Sequence, residues 1–279
     1  MEFMGLALGD LILFAGALLA TGIVAGIIAG LLGVGGGIVI VPVLFHMFTL
    51  LGIDESVRMH LAVGTSLGTI IPTSIRSVRA HNKKGAVDWD LLKRWALPML
   101  IGVGIGTALA AYVNGAVLTA VFATVALLVA FNMAFGREEW RLGSQLPGPA
   151  GQGVIASTIG GVSAMMGIGG GTFGVTVMTL FGRPIHQAVA TSAGLGLLIS
   201  VPGAIGFMLS GIGIEGRPPF SIGYVNLIGL ALIVPATVLA APWGAQLAHA
   251  VSRKTLARAF AFFLLITSLR MFYGLFNGG

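Results

Sequence analysis

A glycine run that occurs twice constrains the fold of this chain more than any other feature. The strings GVGGG at 33–37 and GIGGG at 167–171 each interrupt an apolar segment, and they lie 134 residues apart in a chain of 279. Each glycine costs about 1 kcal/mol relative to alanine inside a helix, so three in succession predict a helix break. Close helix packing instead favours glycines spaced by four, which is our interpretation of Gly26 and Gly30.

The composition places these breaks in a membrane. Hydrophobic residues make up 56% of the chain and charged residues only 9%, and the mean hydropathy is +1.00. These values predict an all-α polytopic membrane protein, because a soluble fold could not cover so much apolar surface. The chain divides into about ten apolar segments when each glycine hairpin is counted as two. A broken helix exposes backbone groups that lipid cannot satisfy, so each break must be buried in protein or line an aqueous cavity near the midplane.

The two halves repeat each other beyond their glycines. The segment that starts at His60 and contains Thr65-Ser66 aligns with the segment that starts at His186 and contains Thr191-Ser192. We expect residues 1–136 to form a first repeat of about five segments, 137–151 a polar linker, and 152–279 a second repeat. An odd number of segments in each half predicts that the two repeats are inverted relative to one another.

The distribution of charge supports this topology. If the basic loop around residues 76–94 is cytoplasmic, twelve of the fifteen Lys and Arg residues fall on the same side. Arg58 and Arg217 then lie in outside loops, and Arg270 lies within a span. The positive-inside rule therefore predicts a cytoplasmic linker and both termini outside.

Several classes of function are excluded by the same residues. The chain has no cysteine and no G-x-x-x-x-G-K-[ST] string, and no cluster of His and carboxylate residues predicts a metal site. The basic net charge comes mostly from loops that we expect on the cytoplasmic side, so it does not indicate a nucleic-acid-binding protein. A membrane enzyme would need paired carboxylates or a nucleophile with its base, whereas the nine acidic residues lie in loops and termini. We expect a protein that is not an enzyme and needs no cofactor.

Helix ends at the breaks predict an anion-binding site, because N-terminal amides carry the positive end of the helix dipole. The candidate amide donors are those of Gly35, Gly36, Gly37, Gly169, Gly170 and Gly171. The candidate hydroxyl donors are Thr65, Ser66, Thr191 and Ser192. The alternative for the hydroxyls is that each bonds the carbonyl four residues earlier in its own helix.

Three ionisable residues are further candidates. His60 and His186 each precede a Thr-Ser pair by five residues, and an imidazole would suit proton coupling. Histidines are also common at helix starts near the interface. Arg270 is a substrate-binding candidate because a charge within a membrane segment is usually functional. Its alternative is to extend its guanidinium towards the outer interface.

These motifs together resemble the TauE/SafE family of sulfite and organosulfonate exporters. The resemblance rests on the two GxGGG hairpins, Pro42 after the first, the two Thr-Ser pairs and the loop GAVDW at 85–89, and it covers about 22–274. It implies transport of small sulfur-containing anions such as sulfite, sulfoacetate or related sulfonates across the bacterial inner membrane. It also implies about eight spans, so together with the ten apolar segments we expect about eight to ten.

The function expected from sequence is therefore a secondary transporter, and more narrowly an exporter, that works by alternating access. Its expected partners are a small anion, the lipid bilayer and a coupling ion such as the proton. A passive anion channel and a membrane scaffold protein without a transport cycle remain open as alternatives.

Overall fold

The computed structural model describes residues 8–32, 36–135, 142–247 and 253–277. Within these ranges the chain forms ten helices and one short hairpin. The first half contains α1 (Leu8–Leu32), α2 (Gly37–Leu50), α3 (Glu55–Asn82), α4 (Trp89–Tyr112) and α5 (Gly115–Phe135). The second half contains α6 (Pro149–Met166), α7 (Gly171–Leu180), α8 (Ile185–Ser210), β1 (Ser221–Ile222), β2 (Val225–Asn226), α9 (Leu227–Leu247) and α10 (Arg253–Asn277).

The all-α polytopic fold expected from sequence is confirmed. Four helices are long and apolar enough to cross a bilayer, namely Trp89–Tyr112, Gly115–Phe135, Ile185–Ser210 and Arg258–Phe276, and several shorter apolar helices lie among the described residues. On α4, Leu97, Ile101, Ile105 and Leu109 are all exposed. Their spacing of four places them on one helix face. An exposed apolar stripe of this kind is a surface for lipid to cover.

Helix α3 starts earlier than the sequence predicts. The sequence places the start of this segment at His60, whereas the helix begins at Glu55 with Asp54 as its N-cap. The Asp54 carboxylate accepts hydrogen bonds from both the hydroxyl and the amide of Ser56. These bonds hold the pKa of Asp54 below its usual range. At about 1.5 Å per residue, the 28 residues of α3 form a helix about 42 Å long.

The helix pairs correspond between the two halves. Helix α1 packs on α9 and α6 on α4, while α2 packs on α3 and α7 on α8. Helices α3 and α8 pack against each other, as do α5 and α10. When each helix of the first half is matched with the helix five places later, these pairs map onto one another. This supports the repeat, whereas the orientation of each half across the membrane stays a prediction.

The contact between α4 and α6 depends on small residues. A methyl group added to Gly102 would meet the backbone of Ser157, and one added to Gly106 would meet the backbone of Gly161. Gly102 and Gly106 are four residues apart on α4, and Ser157 and Gly161 are four residues apart on α6, which is the spacing of small-residue membrane contacts. Gly26 has the same role on α1, where an added methyl group would lie 2.5 Å from the carbonyl oxygen of Thr237.

We predict that Gly102→Ala lowers the free energy of unfolding by about 3 kcal/mol, because two backbones would have to move apart. Gly104→Ala is the matched control on the same helix, since an added methyl group there has no atom within 4 Å. Thermal unfolding of the purified variants in detergent measures both. Equal unfolding temperatures for the two variants would contradict the close α4–α6 contact.

The hairpin before α9 was not predicted. Ser221 pairs with Asn226 and Ile222 with Val225 in an antiparallel ladder, and Gly223 in the turn has a φ of 55°. Two residues in each strand are too few to produce a periodic sequence signal. The hairpin nevertheless positions Asn226 at the start of α9, next to α3.

Candidate functional site

The second break is a short stretch of non-helical backbone between α6 and α7. Helix α6 ends at Met166, with Gly167 as its C-cap at φ 67°, and α7 begins at Gly171, with Gly170 as its N-cap at φ 66°. Glycine adopts this left-handed conformation without the steric cost of a Cβ atom. The glycine-rich sequence therefore causes the break directly, as expected.

The first break has the same form where the structure describes it. Gly36 is the N-cap of α2 at φ 73°, and Gly37 is the first residue of that helix. Gly35, one of the predicted amide donors, lies outside the described residues. Neither α2 nor α7 has a side-chain N-cap hydrogen bond. Their first amides are therefore left for another acceptor.

Backbone hydrogen bonds show where these free amides lie. In α2 the first amide to donate within the helix is that of Val39, and in α7 it is that of Gly174. Among the described residues, the amides of Gly37, Gly171 and the residue after each glycine have no hydrogen-bond acceptor. Both helix N-termini are buried, and within the ranges that the structure describes neither has an acceptor for its first amides.

The two breaks meet at the middle of α3. A methyl group added to Gly37 would lie 2.6 Å from the carbonyl oxygen of Gly167 and 2.8 Å from the Cδ1 atom of Ile70. One added to Gly169 would lie 2.9 Å from the Cγ2 atom of Ile70 and 3.4 Å from the Cα atom of Gly196 on α8. The glycine motifs, which are far apart in sequence, are therefore packed into one centre with α3 and α8.

The predicted hydroxyl groups do not all have the same environment. Ser66 donates a hydrogen bond of 2.7 Å to the carbonyl oxygen of Gly167, which fixes α3 to the second break. Thr65 and Thr191 accept backbone hydrogen bonds from the opposite half, while the Ser192 hydroxyl is buried with no partner. None of these four hydroxyl groups donates to the carbonyl oxygen four residues earlier in its own helix, whereas the hydroxyl of Thr119 does.

The two threonine contacts are equivalent across the halves. The amide of Asn226 donates to the Oγ1 atom of Thr65 at 2.9 Å, and the amide of Asp88 donates to the Oγ1 atom of Thr191 at 3.0 Å. Each donor residue also caps its own helix, because Asp88 accepts from the amide of Leu91 and Asn226 from that of Gly229. In each case the fourth helix of one half starts against the third helix of the other.

The two contacts differ in charge and in their place along α3, because Thr65 lies within α3 while Asp88 follows its C-terminal end. Next to Thr191, the Asp88 carboxylate forms an ion pair of 3.2 Å with Arg183, and Arg183 also donates to the side chain of Gln187. At the Thr65 contact the side chain of Asn226 donates to neutral oxygens of Pro219 and a nearby serine. One contact thus lies beside an ion pair and the other among neutral groups.

The two histidines of the repeat lie in unlike positions. His60 is buried, with its Nε2 atom 2.9 Å from the carbonyl oxygen of Ala110 and its ring stacked on Tyr224 at 4.9 Å between centroids. Its Nδ1 atom is buried without a hydrogen-bond partner. His186 is exposed at the start of α8. Burial raises the pKa of Tyr224 in the adjoining loop, which keeps its phenol neutral.

Arg270 is not brought to the two breaks as a buried group. Its side chain is exposed on α10, a helix that packs on α5. This position is what the interfacial alternative predicts. Its role in substrate binding stays a prediction.

Sequence reasoning missed two hydroxyl groups at the second break and a third on α8. The hydroxyls of Ser163, Thr172 and Ser200 are buried and have no hydrogen-bond partner. A signal was present, because at the first break the positions equivalent to Ser163 and Thr172 hold Ala29 and Ile38. A comparison of the two breaks position by position would therefore have found these two residues.

Buried charge is almost absent from this centre. Among the residues that the structure describes, the buried side chains that can carry a positive charge are Arg58 and His60, both in the first turns of α3. Arg58 donates two hydrogen bonds to the carbonyl oxygen of Ile53. The same described ranges contain no group of three residues that could hold a metal ion. An anion at the breaks would therefore meet amides and hydroxyls rather than cations.

A multi-pass helical protein with paired helix breaks has an architecture that is common among membrane transporters. The comparison with protein families gives the particular class. A family model described as "Sulfite exporter TauE/SafE" matches residues 18–271. The chain belongs to the TauE/SafE family, which confirms the resemblance seen in the sequence.

Individual relatives agree with this assignment. A probable membrane transporter protein of Haemophilus influenzae is 32% identical over 254 residues, which are 91% of this chain and 96% of the relative. Probable membrane transporter proteins of Bacillus subtilis and Methanocaldococcus jannaschii are 28% and 26% identical, and each alignment covers more than 90% of both chains. No solved structure matches the chain. The protein is thus a multi-pass membrane transporter.

Proposed function

We propose that this protein is a secondary transporter that exports small sulfur-containing anions, such as sulfite or organosulfonates, by alternating access. The observation that carries the proposal is the packing of the two breaks against each other, where Gly37 approaches Gly167, with an uncapped helix N-terminus after each break. The family name supports the class of substrate. Transport takes place across the bacterial inner membrane, with both termini outside.

Neutral donors suit an anion that must be released as well as bound. Amides at a helix N-terminus act as a partial positive charge of about half a unit. A buried Lys or Arg would form a charge pair, and breaking a pair of that kind costs about 3–5 kcal/mol in a desolvated site. A site made of Gly169, Gly170, Gly171 and hydroxyls binds more weakly, so the anion can leave on the other side.

Alternating access requires a barrier on each side of the central site. The Thr191–Asp88 contact and the Thr65–Asn226 contact are suited to this role, since each joins the two halves and they lie at different places along α3. In our proposal the halves separate at one contact while the other stays closed. A proton or another ion supplies the energy, and His60 and His186 are the candidates for proton coupling.

We predict that proteoliposomes with the purified protein take up or release labelled sulfite and methanesulfonate at least about tenfold faster than empty liposomes. A zwitterionic amino acid serves as the control solute. Imposing a pH gradient should change the rate of a proton-coupled transporter and drive accumulation against the anion gradient. Equal rates for the anions and the amino acid would contradict the proposed function.

The same experiment separates the two alternatives from a coupled transporter. A passive channel would equilibrate the anion without accumulation under any ion gradient. A scaffold protein would leave the anion rate at that of empty liposomes. Either outcome would exclude alternating access as the mechanism.

A further inference from the structure

We propose that the anion binds at the second break alone, on the amides of α7 and the hydroxyls of Ser163 and Ser192, and that this site selects monoanions over dianions. The inference rests on the proposed function and adds to it the position of the site and the charge of the substrate. The class of substrate is then R–SO3⁻, together with bisulfite rather than the sulfite dianion.

Buried hydroxyls point to a ligand at this helix N-terminus. Ser163 on α6 is fully buried and its Oγ atom has no hydrogen-bond partner. That atom lies 3.6 Å from the place that a Cβ atom on Gly170, the N-cap of α7, would occupy. A buried hydroxyl without a partner costs about 1–3 kcal/mol. An anion at the N-cap would accept its hydrogen bond.

Ser192 brings a second hydroxyl to the same turn of α7. Its side chain is 1% exposed and its Oγ atom also has no partner. The atom lies 2.9 Å from the place that a Cβ atom on Gly174 would occupy, and the amide of Gly174 is bonded to the carbonyl oxygen of Gly170. Helices α6 and α8 thus direct unpartnered hydroxyls at the first turn of α7 from two sides.

The first break lacks this chemistry. The residues equivalent to Ser163 and Thr172 are Ala29 and Ile38, which have no donor group. Ile38 is fully buried in the apolar core. The equivalent of Ser192 is Ser66, whose proton is already donated to the carbonyl oxygen of Gly167. The two breaks share a backbone shape, but only the second offers free hydroxyl donors.

The absence of cations near the second break sets the charge that it accepts. The buried residues of the described chain that can carry a positive charge, Arg58 and His60, lie in the first turns of α3, before its contact with the breaks. The cost of moving an ion out of water rises with the square of its charge, so a dianion loses about four times as much solvation as a monoanion. Its attraction to amides and hydroxyls only doubles. Neutral donors therefore favour the monoanion.

A matched pair of sulfonates tests the charge selectivity. Isethionate has an alcohol where sulfoacetate has a carboxylate, so the two are similar in size and differ by one charge. We expect isethionate to compete against labelled methanesulfonate, on the full-length protein in detergent at neutral pH, at least about tenfold better than sulfoacetate. Near pH 4, where a carboxyl group takes up a proton, the difference should fall to about threefold or less.

Two serines on α6 test the position of the site. Ser163→Ala should weaken isethionate binding about tenfold, the effect of removing one hydrogen bond to a charged group. Its unfolding temperature should not fall, because the lost hydroxyl has no partner in the protein. Ser157→Ala is the control, since the Ser157 hydroxyl is bonded to the carbonyl oxygen of Pro98 at 2.8 Å, and it should leave binding unchanged.

The outcomes separate this inference from the proposed function. Equal competition by the two sulfonates at neutral pH, or normal binding by Ser163→Ala, would overturn the inference while anion transport itself still stood. If no sulfonate and no form of sulfite bound at any pH, the proposed function would fail. Selective binding of isethionate that is lost in Ser163→Ala and kept in Ser157→Ala would support both.

Discussion

Replacing Gly37 by alanine is expected to abolish transport and to destabilise the protein. The added methyl group would lie 2.6 Å from the carbonyl oxygen of Gly167 and 3.1 Å from the Cα atom of Ile168. Both are backbone atoms of the second break, so the two breaks would have to move apart. We expect the free energy of unfolding to fall by about 2–3 kcal/mol and the transport rate by more than about tenfold.

The effect at Gly37 is distinguished from a general effect of alanine by Gly16→Ala. Gly16 also lies in the first half, on α1, and an added methyl group there has no atom within 4 Å. Initial rates in proteoliposomes and thermal unfolding in detergent should be normal for that variant. A Gly37→Ala protein that transports at the normal rate would show that the two breaks need not touch during the cycle.

The ion pair between Asp88 and Arg183 gives the second large effect. Arg183→Asp would place two carboxylates next to each other where the structure has a contact of 3.2 Å, and like charges at that distance repel. We expect the contact between Asp88 and Thr191 to open. The transporter would then be held open at that end, and transport should fall more than about tenfold.

Single-cysteine labelling can measure this opening directly, because the chain contains no cysteine. Ser74 is 4% exposed, and its Oγ atom lies 2.5 Å from the place of a Cβ atom on Gly196. A thiol reagent should react with Ser74→Cys about tenfold faster or more in the Arg183→Asp background. Labelling from the side that carries the Arg183 turn would identify which end has opened.

A compensating change provides the control. Asp88→Asn keeps a side chain that can cap α4 and removes the charge, and it reproduces the Asn226 contact of the other half. Added to Arg183→Asp, it should restore slow labelling and most of the transport, because the repulsion is gone. Failure of this double variant to recover would mean that Arg183 acts through other neighbours, and the double-mutant cycle measures the coupling between the two residues.

Local signals in the sequence were sufficient for the class of protein and for the breaks. Hydropathy reports solvent preference over each segment by itself, so it predicts membrane helices without knowledge of their partners. The left-handed conformation at Gly36 and Gly170 is likewise a local property of glycine. The aligned Thr-Ser pairs and the basic loops led to the repeat, although the side of the membrane on which each loop lies stays a prediction.

The partners of the side chains could not be read in the same way. Thr65 and Thr191 were predicted as equivalent substrate ligands, yet their contacts join residues 161 and 103 positions apart. His60 and His186 occupy equivalent sequence positions, but one is enclosed by Ala110 and Tyr224 and the other is exposed. Equivalent positions in the two halves have different neighbours in the fold, and the similarity of the two sequences gives no sign of this difference.

The sequence by itself determined that this chain lies in a membrane, breaks its helices twice and resembles the TauE/SafE family, because hydrophobicity and glycine act on the residues that carry them. Only the tertiary structure decided that the two breaks touch, that Ser66 is engaged while Ser163 and Ser192 are free, and that Asp88 beside Thr191 is paired with Arg183. Those features depend on distances between atoms of different helices, and packing sets these distances.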